Sequence, residues 1–425
     1  MKTLLKNCKI VNHDKVTEGN ILIDGEFIAS VTASADEKAD KVIDCKGKYA
    51  VPGLIDLHVH FRDPGLEYKE DITSGGKAAV AGGVTAVCPM ANTKPVNDNR
   101  IITEYMIKKA QADGLIDLFP IGAMTKGMEG EELTEMGDMT EGGAIGFSDD
   151  GKPVCSAEVF RRAAEYASQF GSFVISHAED KSLAGAGVIH EGEVSAITGL
   201  KGIPSECEEV MVARDILMSK LTGAHVHICH ISSKGTLDLI KWAKSMGYNV
   251  TCEVTPHHFT LTEKELLSYD TNCKMNPPLR AQEDVDAMIE GLRNGDIDCI
   301  VTDHAPHHPD EKAQEFDLAP FGMTGIQTML PLSLALVEKG VIDMPAFVRL
   351  TSYNPAKLIK KTDRGEIAVG KLADIAIVDA ELEYVFDTKL NKSKSVNTPY
   401  MGKKLKGAAL YTIKSGRVVF EFPMN

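Results

Sequence analysis

The chain lacks several features that would have narrowed its role at once. Its nine cysteines are scattered singly, with no Cys-x-x-Cys pair, which excludes a short disulfide framework. It points instead to a reducing compartment in which the thiols are mostly structural. There is no surplus of basic charge. The formal net charge of −15 argues against a nucleic-acid or anionic-membrane surface and leaves room only for a local basic pocket. No apolar stretch is long enough to span a bilayer, and the opening MKTLLKNCKIVNHDK has neither an apolar leader core nor a small-residue cleavage site. A cytoplasmic location is expected. No glycine-rich nucleotide loop follows the first long strand, which weighs against a doubly wound sheet. Low-complexity segments are missing too.

What is present is ordinary in bulk. Hydrophobic residues at 43% and charged residues at 25% of 425 positions fit a soluble enzyme with one large domain and a smaller one. The first fifty or so residues carry short strand-like runs, LLKNCKIV, GNILIDGEFIASV and ADKVIDCKGKYAVPG, with Asp-Gly and Lys-Gly turns. The last sixty or so behave alike in ADIAIVD, ALYTIKSG and RVVFEF. Neither end can bury a sheet alone, so residues 1–51 and 366–425 are expected to pack together as one small β-sandwich domain. Over residues 52–365 the pattern changes. Apolar runs (GLIDLHVH, VTAVCPMAN, IDLFPIGAM, AIGFSDD, FVISHAED, HVHICHIS, NVTCEVTPHH, DCIVTDHAPH) alternate with amphipathic stretches such as SAEVFRRAAEYASQF. About eight strand–helix units of this size predict an α/β fold, a (β/α)8 TIM-type barrel.

In such a barrel, the chemistry sits where the strands end. His58 and His60 close the first run, two residues apart and so on one face of a strand. Asp149 and Asp150 close the fourth, His177 the fifth, His230 the sixth, and Asp303 with His304 the eighth. Imidazole and carboxylate are the ligands that Zn²⁺ accepts, so the constellation predicts a metal site with a position left for water. Alternation separates the remaining candidates. Asp149 and Asp150 point to opposite sides of a regular strand, so only one can reach a metal. His225 and His227 precede the strand edge and are expected inside the barrel or at its lower end. His257 and His258, behind a proline, suit either a supporting or substrate-facing role or a plain loop role. Cys88, Cys229 and Cys299 read as buried filler.

These segments, with MANTKP, GFSDDG, SHAED, CHISS, TPHHF, KMNPPLR, APFGMTGIQT and GEIAVGKLADIAIVD, together resemble the bacterial type I dihydroorotases of the amidohydrolase superfamily. The resemblance reaches to about residue 400, in the family's order. It implies a reversible ring closure of N-carbamoyl-L-aspartate to L-dihydroorotate in pyrimidine biosynthesis, with one or two zinc ions per subunit. By the same resemblance, His58, His60 and Asp303 would hold the more buried metal, His177 and His230 the second, and Asp150 would bridge them. Arg62, Asn92 and Asn276 would hold the substrate's carboxylate, with further contacts from His60, His307 and the Phe321–Gly322 backbone. Asp303 would be the general acid/base toward a metal-bound hydroxide. A homodimer, and association with aspartate carbamoyltransferase, also follow from the resemblance. CPMANT and FRDPG depart from the commoner family wording but keep Asn92 and Arg62.

Two other readings compete. Dihydropyrimidinases and allantoinases share the His-x-His pattern but bridge their metals with a carboxylated lysine, and GAIGFSDDG offers none. A catalytically dead scaffold should have lost ligands, and none is missing. Finally, the length and charge of HAPHHPDEKAQEFDLAPFG suggest a mobile loop over the mouth.

Overall fold

The structure, a computed structural model, describes residues 2–33 and 38–423. Five strands open the chain: β1 (Lys2–Val11), β2 (Val16–Asp24), β3 (Phe27–Thr32), β4 (Lys41–Asp44) and β5 (Tyr49–Pro52). β1 and β2 form an antiparallel hairpin, and β3 continues it. β4 and β5 lie in succession along the other edge of β1, both parallel to it.

The chain then enters the barrel. Its strands are β6 (Leu54–Val59), β7 (Val84–Pro89), β8 (Asp117–Leu118) continued beyond Pro120 by β9 (Ile121–Gly122), β10 (Gly146–Phe147) and β11 (Val174–Ser176). A separate small ladder pairs β12 (Ile189–His190) with β13 (Gly202–Ile203). The barrel resumes with β14 (Val226–Ile228), β15 (Val250–Val254) and β16 (Cys299–Ile300). Neighbours pair in parallel throughout. Closure is made just past the last strand: Val59 bridges His304, and the His60 N–H donates to the His304 carbonyl at 2.8 Å. Counting β8 and β9 as one interrupted strand, the barrel has the eight staves expected.

Helices form between the strands where the sequence caps them. Asp71, Asn99, Ser156 and Ser233 each accept hydrogen bonds from first-turn backbone N–H groups, and Gly114, Gly223 and Gly295 end helices in the left-handed conformation. Helix Ala157–Gln169 shows why these segments lie on the sheet. Phe160, Ala163, Ala164 and Ala167 repeat at helical spacing and are all buried. Replacing one such cap costs about 1 kcal/mol.

Two apolar layers result. Ile55, Leu57, Ala86, Cys88, Ile175, Cys299 and Val301 fill the barrel interior. Leu54, Val84, Val226, Ile228, Val254 and Ile300 face the surrounding helices. The chain finally returns through β17 (Ile375–Val385), β18 (Lys404–Lys414) and β19 (Arg417–Glu421). β17 pairs antiparallel with β5, Ile377 opposite Ala50. Both chain ends therefore share one eight-stranded sheet, with its own core of Leu5, Ile10, Ile21, Ile23, Ile375 and Ile413. That is the small β domain to which neither end could contribute alone.

Candidate metal centre

Six side chains from five strand ends converge at the mouth of the barrel, and all six are buried: His58, His60, Asp150, His177, His230 and Asp303. Asp150 is the hub. Its Oδ1 lies 3.5 Å from His58 Nε2, 3.4 Å from His177 Nδ1 and 3.4 Å from His230 Nε2, and its Oδ2 lies 3.4 Å from His60 Nε2. His60 Nε2 is also 2.9 Å from Asp303 Oδ1, and His177 Nδ1 is 3.0 Å from His230 Nε2. Two atoms that share one tetrahedral zinc, each about 2.1 Å from it, stand roughly 3.4 Å apart. These spacings are therefore ligand-edge distances. Among the described residues two groups are compact enough to hold an ion, His58–His60–Asp303 and His58–Asp150–Cys229–His230, the donor atoms of each within 4.8 Å of one another.

The ring orientations fit a cation as well. His58 Nδ1 is 2.7 Å from Glu253 Oε1, and His60 Nδ1 is 2.9 Å from Asn92 Oδ1. Both partners are acceptors, so each Nδ1 carries the proton and each Nε2 presents a lone pair to the centre. His58 Nε2 is buried without a hydrogen-bond partner, an orphan that a metal ion would satisfy. The electrostatics agree. Burial opposes charge on His58 and His177, yet Asp150 lifts His58 well above its ordinary value, and Asp150 with Glu179 lifts His177 to about 10. Asp150 and Asp303 are likewise held low against burial by the surrounding imidazoles. The cluster calls for positive charge at its middle.

Local backbone irregularities aim these residues. On β6, Ile55 and Leu57 face the interior, and plain alternation would turn His58 away. The β6–β7 register shifts between Asp56 and Val59, a bulge that resets the parity so that His58 and His60 face inward. His230 follows an inward Cys229; its φ of 32° turns its ring into the mouth as well. Asp303 (φ 47°) and Arg62 (φ 60°) also sit in the left-handed region. Alternation does hold on the fourth strand. Asp149 points away and accepts from the Met124 and Thr125 backbone N–H groups at 2.7 and 3.1 Å. Burial raises its pKa to about 6.

The other expected residues line the same cavity of about 220 Å³: Arg62, Asn92, Asn276, His307, Phe321 and Gly322. Arg62 donates through Nε to the Pro306 carbonyl at 3.3 Å and approaches His307 Nε2 at 3.5 Å. Among the described residues no carboxylate pairs with it. Burial pulls its pKa down to about 10 in spite of Asp303 and Asp150. His307 donates through Nε2 to the Phe321 carbonyl at 2.8 Å and accepts from Lys69 Nζ at 3.3 Å. Asn276 Nδ2 donates to Glu179 Oε1 at 2.9 Å, so part of its donor capacity is already committed. The Gly322 N–H likewise donates to the Lys274 carbonyl at 2.9 Å.

The long loop after β16 is tied to its surroundings at several points. Lys312 Nζ donates to the Pro320 and Gly322 carbonyls at 2.9 and 3.0 Å, and Lys274 Nζ to the Phe316 and Asp317 carbonyls at 2.6 and 3.0 Å. Asn397 holds the Ala305 and Gly322 carbonyls. Length and charge alone do not show that two lysines turn inward to make these ties.

Sequence reasoning missed Glu253, Glu179 and the position of Cys229. Glu253 was visible as the one charged residue of NVTCEV, at the same parity as Thr251. Cys229 is buried, as expected of filler, but its Sγ lies 4.0 Å from Asp150 Oδ1 while it donates to the Ser176 carbonyl at 2.9 Å. His258 ties Thr255 (2.8 Å) to the Pro277 carbonyl (3.1 Å), a supporting role for the loop that carries Asn276.

Comparison with known proteins gives a consistent picture. Residues 47–236 match a family described as dihydro-orotase-like, and residues 321–420 match the amidohydrolase family. A dihydroorotase of Geobacter sp. (strain M21) is 48% identical over 99% of this chain and 100% of its own length. One from Geobacter metallireducens is 52% identical over 90% of both. Among solved structures, the L-hydantoinase (dihydropyrimidinase) of Arthrobacter aurescens superposes with a TM-score of 0.90 at 27% identity, covering 99% of this chain and 96% of that one.

Proposed function

The chain belongs to the dihydroorotase family, and from that premise we propose that it interconverts N-carbamoyl-L-aspartate and L-dihydroorotate, and that its barrel mouth would hold zinc in two adjacent positions with Asp150 within reach of both. The observation that supports this most directly is a juxtaposition. Five of the six ligand-capable side chains line one cavity with a half-buried arginine that, among the described residues, has no carboxylate partner. A neutral cyclic amide would leave Arg62 unpaired, whereas a substrate carboxylate completes it.

His58, His60 and Asp303 would hold one ion, His177 and His230 the other. Bound there, zinc would supply Lewis acidity toward the ring carbonyl and lower the pKa of water. The chain's own residues do the rest. Asp303, on the pocket wall 2.9 Å from His60, takes the proton of the attacking water and returns it to the departing ring nitrogen. Arg62, Asn92 and Asn276 orient the substrate through its carboxylate, and Asn92 fixes the His60 tautomer in the same act. His307, kept neutral by burial and by Arg62, leaves the positive charge of the binding end to Arg62. The carboxylated lysine that a hydantoinase-type reading calls for has no counterpart, since no lysine lines this cavity among the described residues.

The test is a side-by-side assay of the zinc-loaded chain with dihydroorotate, hydantoin, dihydrouracil and allantoin. Dihydroorotate should be hydrolysed far faster than the rest; preference for an uncharged ring would overturn the proposal. The same reading extends to a cytoplasmic homodimer able to associate with aspartate carbamoyltransferase, which sedimentation of the chain alone and mixed with that enzyme measures.

A further inference from the structure

Below the metal centre, the barrel interior carries a polar chain that the reaction does not use. His58 Nδ1 is 2.7 Å from Glu253 Oε1, and Glu253 Oε2 is 2.9 Å from His227 Nε2. His227 Nδ1 is 2.7 Å from Thr251 Oγ1, which is 2.7 Å from His225 Nε2. His58, Glu253 and His227 are each at most 1% exposed. Counting donors leaves a single polarity. A carboxylate only accepts, so His58 Nδ1 and His227 Nε2 both carry hydrogens. His227 Nδ1 is then a lone pair and accepts from the Thr251 hydroxyl, whose oxygen accepts in turn from His225 Nε2–H. Every link is satisfied, and no other arrangement of neutral rings satisfies all four.

Barrel interiors are normally filled by branched aliphatic side chains, as Ile55, Ile175 and Val301 do here. Burying a carboxylate and two imidazoles among them costs desolvation. A packing role alone would be met better by a leucine.

We infer that His227 is a positioning residue for the metal ligand His58. Its Nε2–H holds one oxygen of Glu253 so that the other keeps the proton on His58 Nδ1 and the His58 Nε2 lone pair in the mouth. This rests on the metal reading above but concerns a residue two hydrogen bonds away from any ion. Thr251 completes the device by fixing the His227 tautomer.

Two substitutions separate the donor from its bulk. His227→Gln keeps an N–H near the Nε2 position, while His227→Met keeps size without a donor. Zinc affinity of the full chain, stripped of metal and titrated against a chromophoric chelator, reads the effect without turnover. His227→Met should weaken the tightest zinc by roughly 10–100-fold, and His227→Gln by less than about 3-fold. At saturating zinc the KM for dihydroorotate should be unchanged in both. Wild-type affinity in His227→Met would overturn the inference, as would an equal loss in both variants, which would make His227 mere packing. If His227→Met does not fold, Thr251→Val gives the second reading: a loss of about 3-fold or more is expected, and unchanged affinity overturns the idea. A wild-type chain that holds no zinc defeats both this inference and the metal reading. A chain that holds zinc but ignores dihydroorotate defeats the substrate reading alone, and the His227→Met to wild-type ratio still decides this one.

Discussion

Replacing Arg62 with methionine should cost activity and give back stability. The guanidinium is half-buried, touches the Pro306 carbonyl and His307, and has no carboxylate partner among the described residues. Burial lowers its pKa from 12.5 to about 10. For a cation, a lowered folded-state pKa means that the fold disfavours the charged form. That depression amounts to about 3 kcal/mol at neutral pH, an upper bound on what Arg62→Met can return. Losing the bond to Pro306 takes back about 1 kcal/mol. The melting temperature of the ligand-free variant should therefore match or exceed that of wild type. Binding runs the other way. A desolvated charge pair with the substrate carboxylate loses about 2–5 kcal/mol on truncation, which is roughly a 30- to 5,000-fold fall in kcat/KM for dihydroorotate. Dihydrouracil, the same ring without the carboxylate, serves as the control and should be processed no worse by the variant. Two results would refute the reasoning: an unchanged kcat/KM for dihydroorotate, or an equal loss for both rings, which would implicate the metal centre instead.

Other expectations follow from the same geometry. Asp149→Ala should destabilise the fold by about 2–5 kcal/mol, since it strands two buried backbone N–H groups, while metal content at low temperature is retained. Asp150→Ala should keep its melting temperature in the metal-free state and lose zinc from the second position, so the reverse pattern by metal analysis and calorimetry would put the fourth-strand register off by one. An aspartate needs no carbon dioxide to carry its charge, so zinc alone should restore metal-free protein in CO₂-free buffer, and a requirement for bicarbonate in that assay would expose a carboxylated lysine. Opening the ring creates a carboxylate and releases a proton, so the ratio of carbamoyl aspartate to dihydroorotate at equilibrium should rise about tenfold per pH unit near neutrality; a flat ratio would mean that the reaction is assigned wrongly. Burial, aided at His307 by Arg62, holds His190, His225 and His258 near 4 and His307 near 2. Below pH 6.5 these four histidines bind more protons in the unfolded chain, while Asp56 and Asp149, raised by burial to about 7 and 6, bind more in the folded one. With four sites against two, metal-free protein should lose the difference, up to about 1.4 kcal/mol per uncompensated histidine per pH unit, visible as a melting temperature that falls from pH 6.5 to 5.

The parts of the fold that repeat were legible in the sequence, and the parts that depend on a single unpaired residue were not. Eight apolar runs with helical spacers announce a barrel because each unit repeats the same burial problem. Both termini announce a shared sheet because their alternating strands have nowhere else to bury one face. The candidate cluster was legible for a related reason: His58, His60, Asp149 or Asp150, His177, His230 and Asp303 with His304 are polar residues closing apolar runs, and the mouth of a barrel gathers such positions. Glu253 escaped because it lies inside a strand, where a polar residue normally argues for a solvent face. Its partners His58 and His227 belong to other strands, and pairing across strands leaves no local mark. Lys274 and Lys312 escaped for the opposite reason: in a charged loop, inward and outward lysines read alike.

The three left-handed residues at the mouth show why a sequence reading of such a site stops short of its geometry. Arg62, His230 and Asp303 all have positive φ, and none is glycine or asparagine, the residues that would signal the conformation. Each costs about 1–3 kcal/mol relative to a relaxed backbone, so something must hold it there. The restraints are local and identifiable. His60 N–H on the His304 carbonyl closes the barrel beside Asp303. Asp56 accepts from the Thr302 N–H at 3.1 Å just before it. The Ile231 N–H binds the Glu253 carbonyl at 2.9 Å just after His230. The strands are thus tied immediately next to the strained residue, and the turn between ties is what points a side chain across the mouth instead of along the strand. Relaxing one of these turns would let the backbone continue regularly and carry the donor atom away from the centre. Strain and the geometry of the candidate site are therefore two aspects of one feature, and it resides in restraints contributed by other strands, which no single segment of sequence contains.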